Sequence, residues 1–286
     1  MIVVTGASGQ LGRLVIEKLL ERGVPAVSIV AAVRTPAKAS DLAARGVAVR
    51  EADYTRPDTV RAALVGAKRV LLVSSNEIGQ RAAQHKVVID AARTANVEQL
   101  LYTSVLHADR STLFLAQEHR ETEALISASG LPYALLRNGW YTENYLASIP
   151  AALQVGTFIG SAGEGRIASA TRADYAAAAA AVLTLPVQSH AIFELAGDAT
   201  YTLAELVAEL NRQKGSCVHY QDLPQAEFAA ALVGAGLPQG FADVLADSDV
   251  AASKGALFDN KHQLSALIGR PTTSLADALK AALAGI

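Results

Sequence analysis

The pattern with the clearest chemical meaning is a glycine-rich loop near the start of the chain. It comprises Gly6, Ala7, Ser8, Gly9, Gln10, Leu11 and Gly12, and it lies between an apolar segment (residues 2–4) and an amphipathic one. At such a strand-to-helix turn Gly6 allows a tight turn, Gly9 lets a pyrophosphate approach the backbone, and Gly12 lets the helix pack on the strand. The unpaired N–H groups of the helix start then face the phosphates. The loop therefore predicts a dinucleotide site, with an ordinary flexible turn as the alternative.

The end of the second predicted strand indicates which dinucleotide binds. This strand ends at Val33 and is followed by Arg34, with no Asp or Glu from residue 27 to residue 39. An acid at this place would repel a ribose 2′-phosphate, whereas an arginine pairs with it. We expect Arg34 to bind the 2′-phosphate of NADPH, with Lys38 as a second cation; a solvated loop arginine is the alternative. Asp53, after the third strand, either accepts a hydrogen bond from the adenine amino group or is a plain acid at a helix start.

Polar residues follow the fourth and sixth predicted strands. Ligands of a parallel sheet bind outside the carboxyl ends of its strands. We therefore expect Ser74, Ser75 and Asn76 to contribute to the cofactor site, the two serines through the nicotinamide ribose. The nicotinamide carboxamide is expected to meet the segment after the sixth strand, which consists of Asn138, Gly139, Trp140, Tyr141, Thr142 and Glu143.

The same segment is also the predicted substrate pocket. Trp140, Tyr141 and Tyr145 offer flat apolar faces for an aromatic acceptor, and Asn144 offers a hydrogen-bond donor. We expect Gly139 to permit close approach to the cofactor, and Asn138, Trp140, Tyr141 and Asn144 to position substrate against the nicotinamide. The alternative is that these residues only order the crossing between two lobes.

Four further residues have ionisable or nucleophilic side chains. His85, His107 and His119 are interpreted as half-exposed residues, with a proton relay as the minor alternative. Cys217 is predicted to be a packed thiol rather than a nucleophile.

The elements that must position these residues alternate between strand and helix. Periodicity predicts strands at residues 2–4, 27–33, 47–50, 69–73, 99–103 and 133–136, and helices at 11–22, 36–45, 57–64, 80–95 and 116–129. Such alternation is typical of parallel strands joined by crossover helices. The predicted fold class is therefore α/β, with a doubly wound parallel sheet covered by helices on both faces.

The regular alternation fails after residue 137. A helix is predicted at 145–153, and four glycines lie within 156–165. A helix at 172–185 and a strand at 192–195 could return to the sheet. The remainder of the chain is mostly helical. The clearest later elements are helices at 202–214, 225–233 and 273–283 and a strand at 218–221. We predict a nucleotide-binding domain of residues 1–137 plus about 168–186, and a smaller, mostly helical substrate-binding lobe of about 138–167 and 187–286.

Composition limits the partners. Of 286 residues, 51% are hydrophobic and 18% charged, which suits a large buried core, and the net charge of −2 gives no attraction to nucleic acid. The longest apolar run, residues 176–185, has half of the ~20 residues that a membrane span needs. One cysteine, no spaced metal ligands and no secretion signal predict a metal-free cytoplasmic protein with a small-molecule substrate. Self-association stays open.

Several segments together resemble the NmrA-like branch of the atypical short-chain dehydrogenase/reductase superfamily, and within it the bacterial quinone reductases. They read TGASGQLG, RTPAKA, GQRAAQH, LLRNGWYTENYL, IASATRADYAAAAA and ADSD followed by SKG. The resemblance covers nearly the whole chain. It implies a Rossmann-type NADPH domain, a small C-terminal substrate domain, and two-electron reduction of quinones without flavin.

One departure from the superfamily bears on the reaction. Its members generally use a Tyr-x-x-x-Lys pair to protonate a carbonyl, and no tyrosine here has a lysine four residues later. Alcohol oxidation by that route is therefore not expected. Quinone reduction demands less, because the product is an aromatic hydroquinone anion whose conjugate acid titrates near the phenol value of about 10. Two alternatives remain: an NADP(H)-binding sensor without turnover, and a reductase of triphenylmethane-like dyes.

Overall fold

A computed structural model describes residues 1–187 and 189–285, and it contains one large parallel sheet and one small one. The strands are β1 (Ile2–Thr5), β2 (Ile29–Val33), β3 (Ala48–Glu51), β4 (Arg69–Leu72), β5 (Gln99–Val105), β6 (Tyr133–Asn138), β7 (Thr157–Gly160), β8 (Ala191–Leu195) and β9 (His219–Asp222). The large sheet has the order β3-β2-β1-β4-β5-β6-β8, and every neighbouring pair is parallel. The predicted doubly wound sheet is confirmed.

Helices cover both faces of this sheet. They are α1 (Gln10–Glu21), α2 (Ser40–Ala44), α3 (Pro57–Ala63), α4 (Arg81–Thr94), α5 (Ala116–Ala128), α6 (Thr142–Leu146), α7 (Ile149–Val155), α8 (Arg172–Thr184), α9 (Leu203–Lys214), α10 (Gln225–Gly234), α11 (Gln239–Ser253), α12 (Gln263–Ile268) and α13 (Leu275–Leu283). One face carries α1, α2, α8 and α12, and the other carries α3, α4 and α5.

Alternation of side chains along the strands builds the two cores. In β1, Val4 packs toward α1 and α8, whereas Val3 packs toward α3 and α4. In β4, Leu71 and Leu72 divide in the same way, because successive strand residues point to opposite faces. With both faces buried, the strands read as continuous apolar runs, which is why the sequence predicted them well.

The direction of strand order reverses between β1 and β4. The chain proceeds outward through β2 and β3 on one side, then returns to β4 beside β1 and proceeds through β5, β6 and β8 on the other. A crevice opens at such a switch point, outside the carboxyl ends of the strands. The residues that follow β1, β2, β4 and β6 therefore lie around the same edge of the sheet.

A third core fills the smaller part of the molecule. It includes Trp140, Leu146, Phe158, Leu203 and Leu206, together with residues of α11 and α13, and it holds the β7–β9 sheet against the helices. Thr202 caps α9 in a capping box with Glu205. Within residues 1–187 and 189–285, none of the helices combines the length and apolar character needed to cross a bilayer.

Three expectations about element bounds need correction. The smaller lobe was expected to resume near residue 187, yet β8 pairs with β6, so Ala191–Leu195 belong to the large sheet. The single helix expected at 145–153 is two helices, α6 and α7, because Pro150 starts a new helix rather than continuing one. The helix expected at 36–45 is a 3-10 turn at Pro36–Ala39 followed by α2.

Candidate functional site

The glycine loop connects β1 directly to α1. Gly6 has a φ of +59°, so the expected tight turn is present, and the N–H of Gly9 donates to the carbonyl of Gly6 at 2.9 Å. Gly9 is the N-cap of α1 and has no side chain to satisfy the first N–H groups of the helix. These groups have no partner within the helix and remain available to an anion.

Close packing explains the other two glycine positions. A Cβ at Gly12 would lie 2.5 Å from the carbonyl oxygen of Gly6, so this glycine lets α1 pack closely on the backbone that leaves β1. A Cβ at Gly9 would lie 3.2 Å from the same oxygen. The loop is therefore folded as a compact unit.

Arg34 follows β2 and is largely exposed, as a phosphate-binding arginine must be. It is not free, however, because its Nη1 lies 2.9 Å from Oε1 of Glu77, which the loop after β4 carries. The sequence argument considered only acids close to Arg34 in the chain, and Glu77 was missed because it lies 43 residues away. A bound 2′-phosphate would compete with this carboxylate for the guanidinium.

Asp53 lies at the edge of the same region but has local partners. Its Oδ1 accepts hydrogen bonds from the N–H of Thr55 at 2.9 Å and from the Thr55 hydroxyl at 2.7 Å, and these lower the pKa of Asp53. Oδ2 lies 3.8 Å from Nε of Arg56. The turn before α3 thus accounts for one carboxylate oxygen, and a contact of the other with adenine stays a prediction.

Ser74 and Ser75, in the loop after β4, are held by their backbones. The N–H of Ser74 donates to the Thr103 hydroxyl at 2.8 Å, and the N–H of Ser75 donates to Nε2 of His85 at 2.9 Å. The Ser75 hydroxyl points to Gln84, with 2.5 Å to its Oε1. Ser75 is therefore engaged with α4, whereas the exposed Asn76 and the Ser74 side chain are open to a ligand.

Asn138 carries the most informative polar atom of the site. It is the last residue of β6, its side chain is only 5% exposed, and its Oδ1 is buried without a hydrogen-bond partner. Leaving such an atom unpaired costs about 1–3 kcal/mol. An amide N–H of a bound ligand would satisfy it, and the nicotinamide carboxamide has this group.

Gly139 is required by packing inside the protein, and the close approach of a cofactor to it stays a prediction. A Cβ there would lie 2.9 Å from the Tyr175 hydroxyl and 3.1 Å from the carbonyl oxygen of Leu195, both inside the protein. Packing of β6 against β8 and α8 therefore requires the glycine, and this contact accounts for it without a cofactor.

Trp140 and Tyr141 face different parts of the molecule, so Tyr141 does not line the cavity of Trp140, and its contact with an acceptor stays a prediction. Trp140 belongs to the core of the smaller part and lines its cavity. Tyr141 packs against the large-sheet core, edge to face with Tyr175 at 5.4 Å, and the Arg172 guanidinium lies 4.5 Å from its ring centre. Adjacent residues in extended backbone point in opposite directions, which explains the separation.

Thr142, Glu143 and Asn144 bind neighbouring segments. The Thr142 hydroxyl contacts the Ser169 hydroxyl at 2.8 Å, and Glu143 accepts from the N–H of Arg172 at 2.9 Å, at the start of α8. Oδ1 of Asn144 accepts from Nη2 of Arg172 at 2.7 Å. These contacts favour the interpretation that the segment orders the crossing between the two parts, although Asn144 also lines the cavity.

A small cavity of about 40 Å³, open to solvent on one side, lies beside this segment. The lining is mostly apolar and consists of Trp140, Asn144, Tyr145, Ser148, Phe158, Ile159, Phe228, Leu232, Leu245 and Asp249. The sequence argument placed Trp140, Asn144 and Tyr145 here but not Asp249, which arrives from α11; the ADSD segment that contains it was noted only as a point of resemblance.

The three histidines interpreted as half-exposed are in fact buried. His85 and His119 lie between α4 and α5, where His85 binds Thr122 and Nδ1 of His119 lies 2.7 Å from the Tyr102 hydroxyl. Burial lowers the pKa of His85 to about 3 and that of His119 well below its usual value, so both stay neutral. His107 hydrogen-bonds Glu194, which raises the pKa of its imidazole.

Cys217 is exposed just before β9, so the prediction of a packed thiol is wrong. Among residues 1–187 and 189–285, no group of three or more His, Cys, Asp or Glu side chains could hold a metal ion.

The donors and acceptors around the crevice fit a dinucleotide. The start of α1 offers unpaired N–H groups to a pyrophosphate, Arg34 offers a cation beyond β2, and Asn138 offers a buried unpaired oxygen beyond β6. Asn138 is two residues from Trp140, where the apolar cavity begins. The arrangement is thus an anion and amide site, and the chain that leaves it after β6 contributes Trp140 to the small apolar cavity.

Comparisons with known proteins agree with this geometry. Residues 6–186 match a family described as NAD(P)H-binding. The chain is 59% identical over 279 residues to quinone oxidoreductase 2 of Escherichia coli, covering 98% of this chain and 97% of the relative. A crystal structure of the NADPH-dependent quinone oxidoreductase of Escherichia coli complexed with NADPH superposes with a TM-score of 0.96 at 58% identity, over 99% of this chain and 100% of that one.

Another relative of known structure is named for a different substrate. The triphenylmethane reductase of Citrobacter sp., complexed with NADP(H), superposes with a TM-score of 0.94 at 37% identity, covering 99% of this chain and 100% of that one.

Proposed function

This chain belongs to the NAD(P)H-binding family, and from that premise we propose that it reduces quinones with NADPH by direct two-electron transfer without flavin. The observation that carries the proposal is the position of the apolar cavity, which begins at Trp140, two residues after the unpaired oxygen of Asn138. An acceptor ring in that cavity would lie beside the part of the crevice that suits a carboxamide. Bound NADPH supplies a hydride.

The residues of the chain bind and orient the cofactor in this proposal. The N–H groups at the start of α1 hold the pyrophosphate, Arg34 holds the 2′-phosphate, and Asn138 accepts from the carboxamide. The remaining predicted contacts, from Asp53, Ser74 and Asn76 and from the backbone after β6, are proposed on the same basis. Orientation of the two rings provides much of the acceleration, since a near-attack geometry replaces a bimolecular encounter.

The helix that would carry the tyrosine and lysine of alcohol dehydrogenation is α5. In this chain its side chains make structural contacts. Glu118 of α5 accepts hydrogen bonds from the N–H groups of Gly79 and Arg81 at 3.0 and 3.1 Å, at the start of α4. The neighbouring His119 is bonded to Tyr102. These side chains hold α5 against α4 and β5, and this supports an acceptor that becomes aromatic on reduction over an alcohol or sugar.

Two lesser proposals rest on charge and composition. A net charge of −2 supports small molecules rather than nucleic acid as partners, and a single cysteine suits a reducing cytoplasm.

Dye reduction is a second candidate, favoured by the likeness to the triphenylmethane reductase. The cavity is open to solvent and has mostly apolar walls, which do not by themselves distinguish a dye from a quinone. A sensor that binds NADPH without turnover is the third candidate, and the aromatic cavity beside Asn138 favours turnover over it.

Assays on the purified protein separate these candidates. NADPH oxidation is measured with a panel of quinones and with triphenylmethane dyes, and the absorbance spectrum is recorded for flavin. We expect a colourless protein, one hydroquinone per NADPH, and slower turnover with deuterium at the transferring position of nicotinamide C4. Stoichiometric flavin or an obligatory semiquinone product would overturn the flavin-free hydride proposal. Tight NADPH binding without oxidation by any acceptor would favour the sensor.

A further inference from the structure

The cavity contains one carboxyl group that the proposed binding of quinone does not use. Asp249 of α11 is the sole carboxylate among the residues that line the cavity, and its side chain is only 4% exposed. A carboxylate costs free energy to bury in an apolar site unless it has partners or takes up a proton. The neighbours of Asp249 therefore decide whether its carboxyl group is charged or protonated.

Asp249 is held at both oxygens by neutral donors. Oδ1 accepts from the Tyr145 hydroxyl at 3.1 Å, and Oδ2 accepts from the backbone N–H of Ser161 at 2.9 Å. No Lys, Arg or His of the described residues forms an ion pair with it. The Ser161 bond fixes one oxygen, and the other faces the only tyrosine hydroxyl that lines the cavity.

Burial outweighs the two hydrogen bonds of Asp249, because the Ser161 N–H and the Tyr145 hydroxyl both favour its charged form. Burial, reinforced by the charge of Asp222 on β9, raises the pKa of Asp249 to about 6. The hydroxyls of Tyr145, Tyr201 and Tyr220 face the same region, and burial raises the pKa of each phenol, so all three stay protonated donors. Near neutral pH, Asp249 therefore exchanges protons readily while Tyr145 does not ionise by itself.

We propose that Asp249 and Tyr145 form a two-residue proton relay to the acceptor in the cavity, which rests on the quinone reduction proposed above. Protonated Asp249 donates from Oδ1 to the oxygen of Tyr145, and the Tyr145 hydroxyl donates its own proton to the acceptor oxygen. Asp249 then recovers a proton from water. The hydride brings two electrons and one hydrogen and the relay brings the second hydrogen, so quinone, NADPH and H⁺ give hydroquinone and NADP⁺.

The alternative proton donors of the structure are less suited to this role. His85 and His119 are neutral and lie between α4 and α5 on the far side of β5, and His107 is bonded to Glu194 and to the carbonyl of Phe258. Oδ1 of Asn144 is bonded to Arg172, and an amide donates a hydrogen bond without giving up its proton.

The test uses three variants: Tyr145→Phe, Asp249→Asn and the double variant that combines these two changes. Each is compared with the control Asp243→Asn. Asp243 is on the same helix, exposed and outside the cavity, so this control removes the same charge. Duroquinone is the acceptor because its ring positions are blocked and exposed Cys217 cannot add to them. The kcat, KM and solvent isotope effect are measured from pH 5 to 9. NADPH affinity is measured by fluorescence. The Asp249 carboxyl group is titrated by ¹³C NMR.

Loss of a positioned acid typically lowers rates about 10²- to 10⁴-fold, and we expect kcat of both single variants to fall into this range. Wild-type kcat should decrease as pH rises above about 6, where Asp249 loses its proton, and this limb should vanish in Asp249→Asn. NADPH affinity should change less than about threefold, and the double variant should be no slower than either single one, because the two act as a unit. Tyr145→Phe should shift the NMR titration of Asp249 upward, since it loses a donor to the carboxylate.

Two results would overturn the relay alone. They are an unchanged pH limb and kcat in Asp249→Asn, or a wild-type Asp249 that titrates below pH 4.5 by NMR. A wild-type protein that binds NADPH but reduces no quinone would instead overturn the proposed function, and the relay with it.

Discussion

The guanidinium of Arg34 is paired with the carboxylate of Glu77 at 2.9 Å, and this contact joins the loop after β2 to the loop after β4. Glu77 is itself held, because its Oε2 accepts from Nε2 of Gln84 at 2.6 Å. Both loops flank the glycine loop after β1, since β1 lies between β2 and β4 in the sheet. A cofactor 2′-phosphate bound at Arg34, as proposed, would therefore compete with Glu77 for one guanidinium.

The first prediction concerns Arg34 itself. Arg34→Asp should weaken NADPH binding by about 10- to 100-fold, because a charge-assisted contact of roughly 1.5–3 kcal/mol is exchanged for repulsion. NADH lacks the 2′-phosphate and should lose much less affinity. Dissociation constants for both cofactors by fluorescence titration check this, and equal losses for NADPH and NADH would count against the assignment of Arg34.

The second prediction concerns Glu77, where a substitution should change NADPH affinity in the opposite direction. Glu77→Gln should strengthen NADPH binding by up to about fivefold, because an exposed ion pair of 0–1 kcal/mol no longer has to be broken. Glutamine keeps a side-chain oxygen for Gln84. Glu98→Gln, which removes an exposed pair with Lys68 elsewhere, is the control and should leave the affinity unchanged. Weaker NADPH binding in Glu77→Gln would show that Glu77 supports the site rather than competes with the cofactor.

The third prediction tests the glycine loop. Gly9→Val should abolish NADPH binding while the fold persists, because its φ of −81° suits valine but the added side chain occupies the start of α1 where the pyrophosphate must approach. Gly240→Ala is the matched control, since a Cβ there meets nothing within 4 Å. Circular dichroism and cofactor titration are the measurements. Near-normal affinity in Gly9→Val would exclude the loop from the cofactor site.

The fourth prediction separates two adjacent aromatic residues. Trp140→Phe shortens a wall of the cavity and should raise KM for a quinone by about 3- to 10-fold and lower kcat, since reacting atoms must come to about 3–3.5 Å. Tyr141→Phe leaves the cavity lining intact and should change KM less than about twofold. Steady-state kinetics with one quinone check both variants. A larger KM effect at Tyr141 would place the acceptor on the other side of the segment.

The fifth prediction concerns acid stability. His85 is fully buried and accepts from the N–H of Ser75, and burial lowers its pKa to about 3. The unfolded chain binds a proton at His85 below about pH 6.5, so the folded state loses stability as pH falls from 6.5 toward 3. This amounts to about 1.4 kcal/mol per pH unit. Between pH 7 and pH 5 the free energy of urea unfolding should therefore fall by about 2 kcal/mol more in the wild type than in His85→Gln. Equal losses would contradict the buried neutral imidazole.

The sequence by itself determined the sheet and the glycine loop. Buried parallel strands are short continuous apolar runs, and the helices between them repeat every three to four residues, so both can be read locally. The turn at Gly6 and the open start of α1 follow from the same few residues. The family resemblance added the expected cofactor and acceptor.

Only the tertiary structure decided which side chains meet. Glu77 reaches Arg34 across 43 residues, and Asp249 reaches Tyr145 across 104, so no local pattern could pair them. The opposite directions of Trp140 and Tyr141 depend on how the chain leaves β6, which the contacts with β8 and α8 fix. Periodicity tells which face of a strand a residue takes, but beyond the strand end the backbone direction is set by long-range packing, and the chemistry of this site lies there.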